Sequence, residues 1–220
     1  MHSKFLHPLT AIFVTTLILS NIIAVKIGVF GPWFLPVAVI IFPLSYILGD
    51  VLTEVYGYAV MRRTIWTGFL CNLLAVIILW IARVIPAAPF YEGQAAFDAI
   101  FASTPRILAA SFVAYLVGSF TNASILAAMK VKTGGKHLWL RMIVSTIIGE
   151  GLDSALFITL AFGGVFPTEQ VITLAVTQWL FKVAFEIIVL PLSATVVAAI
   201  KRAEKMDHFD RGTSLNPLHF

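Results

Sequence analysis

Residues 42–57 read FPLSYILGDVLTEVYG. The stretch opens as an apolar helix suited to a bilayer, then sets Asp50 and Glu54 one helical turn apart, with Tyr46 one turn earlier. At i, i+4 and i+8 the three side chains share one stripe of a helix. A carboxylate near the centre of a membrane helix carries a penalty of about 2.5–3.5 kcal/mol on insertion scales. Such residues are therefore kept where they face a cavity, a partner or a substrate. The competing reading is that Asp50 and Glu54 have already left the bilayer and are solvated, because Arg62 and Arg63 mark a membrane edge not far beyond.

Outward from this stretch the whole chain has the composition of an integral membrane protein. Its 220 residues are 60% hydrophobic and only 12% charged, with a mean hydropathy of +0.95, where a soluble domain carries roughly 25% charged residues. The net charge of +4 is then no sign of a nucleic-acid partner; what matters is how it is distributed. The lone Cys71 lies in an apolar run, which excludes a disulfide framework and a cysteine metal site. His2, His7, His137, His208 and His219 fall outside the apolar runs or at their edges, which argues against a histidine relay or a metal in the membrane. No cofactor is expected.

The fold expected is a single all-α transmembrane domain over 1–220 with six spans, at about 6–27, 33–56, 63–84, 106–129, 138–162 and 172–199, each long enough to cross. The first is read as a span and not a signal peptide, because it holds Asn21 and Lys26 and leads straight into the next. The connection 86–105 has room for a short interfacial helix, either as a gate or as a plain connector. The loop at 130–141 lacks the glycine-lysine spacing of a phosphate cradle. Residues 201–220 read as a polar, frayed cytoplasmic tail.

Several polar residues interrupt the spans. Asn21 and Asn72 each fit either an interhelical hydrogen bond or a ligand contact, and Tyr115, Ser119 and Asn122 lie along one face of the fourth span. Glu150 and Asp153 are i, i+3 neighbours mid-span with no opposite charge nearby in sequence. Both cannot ionise cheaply in a low dielectric, so one must hold a proton or meet a cation. Gln178, Lys182 and Glu186 repeat the i, i+4, i+8 stripe, and Lys182 and Glu186 can either pair within the helix or face a ligand. Pro191 permits a kink. Residues 47–52, ILGDVL, echo 147–152, IIGEGL, matching Asp50 to Glu150; Ser20 and Asn21 match Thr121 and Asn122. Three spans per half would make the halves inverted repeats, as in many transporters.

The run 42–57, the Ser20-Asn21 pair, the GEGLD of 149–153, and Lys182, Glu186 and Pro191 together resemble the queuosine-precursor transporter family, also called the vitamin uptake transporter family. The resemblance covers nearly the whole chain. It implies a six-helix protein of the bacterial inner membrane that imports 7-deazaguanine bases: queuine, or the cyano and aminomethyl precursors of queuosine. The residues suit such a cargo. A guanine-like edge offers a ring N–H and an amine as parallel donors, which one carboxylate accepts together, beside a carbonyl that Lys, Asn or Gln can serve. Tyr46 and Trp179 either stack on the ring or are ordinary core aromatics. The substrate-binding candidates are thus Tyr46, Asp50, Glu54, Asn21, Asn122, Glu150, Asp153, Gln178, Lys182 and Glu186.

The competing class is a substrate-capture subunit of a multi-component vitamin uptake system. An intramembrane enzyme is disfavoured, since G-x-S-x-G, H-E-x-x-H and an intramembrane His or Cys pair are all lacking. Lys4, Arg62, Arg63, Lys130, Lys132, Lys136, Arg141, Lys201, Arg202, Lys205 and Arg211 fall on one side of the spans. The other side holds only Lys26, Arg83 and Arg106, with Glu92, Asp98 and Glu169. Both termini are therefore expected in the cytoplasm. A reporter enzyme fused after Phe220 should be active only as a cytoplasmic fusion; activity as a periplasmic fusion would overturn the orientation.

Overall fold

The computed structural model of the protein describes residues 3–24, 26–30, 33–101 and 105–219. Long apolar stretches without interior breaks form helices that are hydrophobic all round, which is the pattern of membrane spans and not of surface helices. They are α1 (Leu6–Ile23), α3 (Tyr58–Val84), α5 (Pro105–Thr133), α6 (Leu138–Phe162) and α7 (Thr168–Glu204). These five are long and apolar enough to cross a membrane. At 37 residues α7 is about 55 Å long, so its ends extend beyond a bilayer core of about 30 Å.

The second expected span is built differently. Two short strands, β1 (Ile27–Phe30) and β2 (Trp33–Pro36), pair antiparallel with Ile27 opposite Pro36. A 3-10 turn, Val37–Ile40, follows, and then α2 (Phe42–Tyr56). The reason lies in the composition: Pro36 breaks the apolar run expected as one span over 33–56, and Gly28 stands just ahead of it. Pro43 stands in the first turn of α2, where a missing N–H is harmless. At 15 residues α2 measures about 22 Å, short of a full crossing. The first expected span likewise ends as a helix at Ile23, before β1.

Short as it is, α2 is the hub. Val51, Leu52 and Val55 are wholly buried, packed with Tyr58 and Ile65 of α3 and Val197 of α7. α2 meets α3 at Gly57, whose φ of 88° suits glycine, and a Cβ there would run into the His208 ring. α5 and α6 form the most extensive helix pair. They touch at two glycines: a Cβ on Gly149 would lie 2.8 Å from Asn122 Cβ and 3.0 Å from the Gly118 carbonyl oxygen. The helix expected in the 86–105 connection is α4 (Gln94–Phe101), tied to α3 by Arg83 on Asp98 at 3.0 Å.

The tail is not frayed, and that expectation is corrected. His208 donates its backbone N–H to the Val55 carbonyl, and Asp210 accepts from the Tyr58 N–H at 2.9 Å, capping α3. Tyr58 Oη donates to Leu215 O, Arg62 to Ser214 O and Asn216 O, and Trp66 Nε1 to Pro217 O. At the same end Glu204 accepts from the backbone N–H groups of Lys4 and Phe5 and from Tyr56 Oη. Both ends of the described chain therefore meet on one side of the bundle. Polar composition suggested fraying, but these groups satisfy backbone and side-chain donors that the α2–α3 corner leaves open.

Candidate functional site

The residues of the 42–57 stripe divide between two clusters. At the end of the bundle where the termini meet, Glu54 is wholly buried. Arg141 of α6 grips it with two bonds, Nη1 to Oε2 at 2.6 Å and Nη2 to Oε1 at 3.0 Å. Lys201 of α7 donates to Oε1 at 2.7 Å. Lys130 of α5 lies 3.5 Å from Oε1 and donates to the Glu54 carbonyl, Asp207 and the His208 carbonyl. Asp207, beyond α7, also pairs with Lys201 at 2.8 Å. Burial pushes the Asp207 carboxyl up, but the hydrogen bonds from Lys130 and Lys201 outweigh it and hold the group below the usual carboxylate range. Its contribution to stability is thus present above the ordinary carboxylate range and is lost as pH falls through the lowered value.

Deeper in the bundle lies the second cluster. Lys182 of α7 reaches across to α6, pairing with Glu150 Oε2 at 2.8 Å and with Asp153. Both carboxylates are largely buried. Of the two expectations for the Glu150–Asp153 pair, a proton or a cation, the cation is supplied by the next helix, α7. Lys182 does not turn down its own helix: neither oxygen of Glu186 has a hydrogen-bond partner among the described residues. Glu186 and Asp50, 1% and 2% exposed, place their carboxyls against each other, and Glu186 also faces Glu150. Tyr46 completes the group, facing Glu150, Asp153 and Glu186. Asn122 backs onto Gly149 beside Glu150, its Oδ1 buried without a donor among the described residues. Trp179 packs on Gly151 and donates to the Ile147 carbonyl at 2.9 Å.

Tyr46, Asp50, Asn122, Glu150, Asp153, Lys182 and Glu186 therefore gather on α2, α5, α6 and α7. Burial of Asp50 and Glu54 rules out the solvated reading of the stripe. Three candidates stand apart. Glu54 belongs to the terminal clamp. Asn21 lines a separate cavity of about 300 Å³ between α1, α3, α4 and α5, with Asn72, Trp80 and Arg83. Gln178 lies a turn before Lys182, half-buried, with no polar contact to the cluster among the described residues. Sequence reasoning missed the clamp partners: Lys130, Arg141 and Lys201 were read only as orientation signals. The one clue to their other role was Arg141, which sits inside an apolar run.

Chemically, the deep cluster holds four carboxyls, Asp50, Glu150, Asp153 and Glu186, against one ammonium. It can accept several N–H donors and donate from Lys182. Comparison with known proteins agrees with a transport role. The family described as "Putative vitamin uptake transporter" matches residues 36–196, from β2 almost to the end of α7. The chain belongs to this family. The matched stretch contains the clamp apart from Lys201 and Asp207, and every deep-cluster residue. The transporter is 27% identical over 157 residues to a "Probable queuosine precursor transporter" of Bacillus subtilis (strain 168), covering 71% of this chain and 69% of that protein. No solved structure matches the chain. The helices and the family together make it a multi-pass membrane transporter.

The clamp yields a stability prediction. Glu54→Gln leaves Arg141, Lys130 and Lys201 around a neutral amide, and breaking a buried pair on one side costs about 3–5 kcal/mol. The purified variant should unfold at a clearly lower temperature than wild type in detergent. An unchanged midpoint would mean the clamp does not hold the helices.

Proposed function

We propose that the transporter imports queuosine precursors, 7-deazaguanine bases such as the cyano or aminomethyl precursor or queuine, across the bacterial inner membrane with both termini in the cytoplasm. The observation that carries this reading is a pair of largely buried carboxylates, Glu150 and Asp153, on one lysine, with the buried Glu186 next to Glu150 and the buried Asp50 against Glu186. Glu150 or Asp153 accepts the parallel ring N–H and amine donors of the guanine-like edge, and Lys182 donates to its carbonyl. Asn122 and Tyr46 border the same site. The name of the Bacillus relative supports the same class of cargo. Uncharged flat bases suit a cleft among helices, where a few polar groups fix orientation and aromatic faces supply area.

The test is uptake of labelled 7-deazaguanine bases by cells unable to make queuosine, repeated in proteoliposomes holding only this chain. Wild type should accumulate base in both. Uptake in cells but not in proteoliposomes would favour the capture-subunit reading. Glu150→Gln swaps an acceptor for a donor, and a buried unsatisfied group costs roughly 1–3 kcal/mol. Its uptake should therefore fall about tenfold to a hundredfold at normal membrane abundance. Wild-type uptake by that variant would remove Glu150 from the site.

A further inference from the structure

The base-binding chemistry uses Glu150, Asp153 and Lys182 and leaves the Asp50–Glu186 pair without a task. We infer that these two carboxyls form a proton-carrying site, so that one proton enters with each base; this rests on the transport reading above. Asp50 comes from α2 and Glu186 from α7. They sit against each other at 2% and 1% exposure, with Asp50 Oδ2 and both Glu186 oxygens lacking a donor among the described residues. Two carboxylates in that position cannot both carry charge. A single proton resolves the conflict, because one carboxyl then donates an O–H to the other.

Among the described residues no cation hydrogen-bonds to Glu186 or to Asp50 Oδ2. Around Asp50 stand Glu54 of α2, Arg141 of α6 and Glu186. Arg141 commits both terminal nitrogens to Glu54, together with Lys201. Around Glu186 stand Asp50, Glu150 of α6 and Tyr46 of α2. Lys182, one turn before Glu186, is held by Glu150 and Asp153.

Position makes the pair a coupling element. Glu186 faces Glu150, and Glu150 pairs with Lys182, so a base taken up by Glu150 changes the field at the pair. A proton there likewise changes the field at the base, and such coupling is reciprocal. Loading from the outer side lowers the surplus negative charge of a buried site that must reorient within the bilayer, where charge is expensive. The proton leaves the pair on the inner side with the base. Acid outside should therefore drive import.

Two measurements on the full chain test this. In proteoliposomes supplied from outside with labelled cyano-substituted 7-deazaguanine, an acid-outside gradient should give about tenfold accumulation per pH unit for one proton per base. A protonophore should abolish it, and Glu186→Gln should lose it. Accumulation driven by a sodium gradient at equal pH, or base movement indifferent to the pH gradient, would overturn the proton site while leaving the transport reading intact. The second measurement needs no substrate. Infrared spectra of the wild-type protein at neutral pH should show a protonated-carboxyl C=O band that Asp50→Asn and Glu186→Gln each remove. Its absence from wild type would sink the proposal whether or not the base is the cargo.

Discussion

Glu54 is held by cations from three helices at once, Arg141 of α6, Lys201 of α7 and Lys130 of α5, and the position of α2 depends on that grip. A buried carboxylate with its acceptors filled is tolerated; stripped of its partners it would leave a large uncompensated charge. The clamp anchors a helix too short to be fixed by spanning the bilayer. One turn deeper on the same stripe, Asp50 is thereby set beside Glu186. The docked tail completes the arrangement, with Asp207 bridging Lys130 and Lys201 and Asp210 capping α3.

The deep cluster inverts the logic of the clamp. There, cations outnumber the acids and every oxygen of Glu54 is used. Here, one lysine meets two carboxylates, Glu150 and Asp153, while among the described residues Asp50, Glu186 and Asn122 keep buried acceptors without a hydrogen-bond partner. Open acceptors in a low dielectric are costly for stability alone. Their cost is offset when a ligand with several donors, or a proton, arrives. Close approach of α5 and α6 at Gly118 and Gly149 sets Asn122, Glu150 and Asp153 side by side in that region, with little room for backbone adjustment.

Much of this was legible in the sequence, and the failures have physical causes. Hydropathy located the helices, and the cost of intramembrane charge singled out the residues that gather in the deep cluster. The pairing of β1 with β2 escaped because hydropathy ignores backbone breakers, although Pro36 stood inside the span expected over 33–56. Lys182 and Glu186 stood at ideal spacing for a helical pair, yet the ammonium reaches α6, because two carboxylates there offer more than one below it. Arg141 and Glu54 are 87 residues apart, a separation no local pattern reports. The tail looked frayed by composition, but it is held by backbone groups of Val55 and Tyr58 and by the side chains of Tyr58, Arg62 and Trp66, partners that composition does not reveal.

The central claim is that a buried carboxylate on α6 reads the donor edge of a guanine-like base. Calorimetry on the purified transporter, comparing a 7-deazaguanine base with its analogue lacking the exocyclic amine, tests it most directly. The account predicts that wild type binds the analogue about tenfold to a hundredfold more weakly, the cost of one unsatisfied acceptor. It also predicts that the difference largely vanishes in Glu150→Gln with Asp153→Asn. Equal affinity of wild type for base and analogue would contradict it.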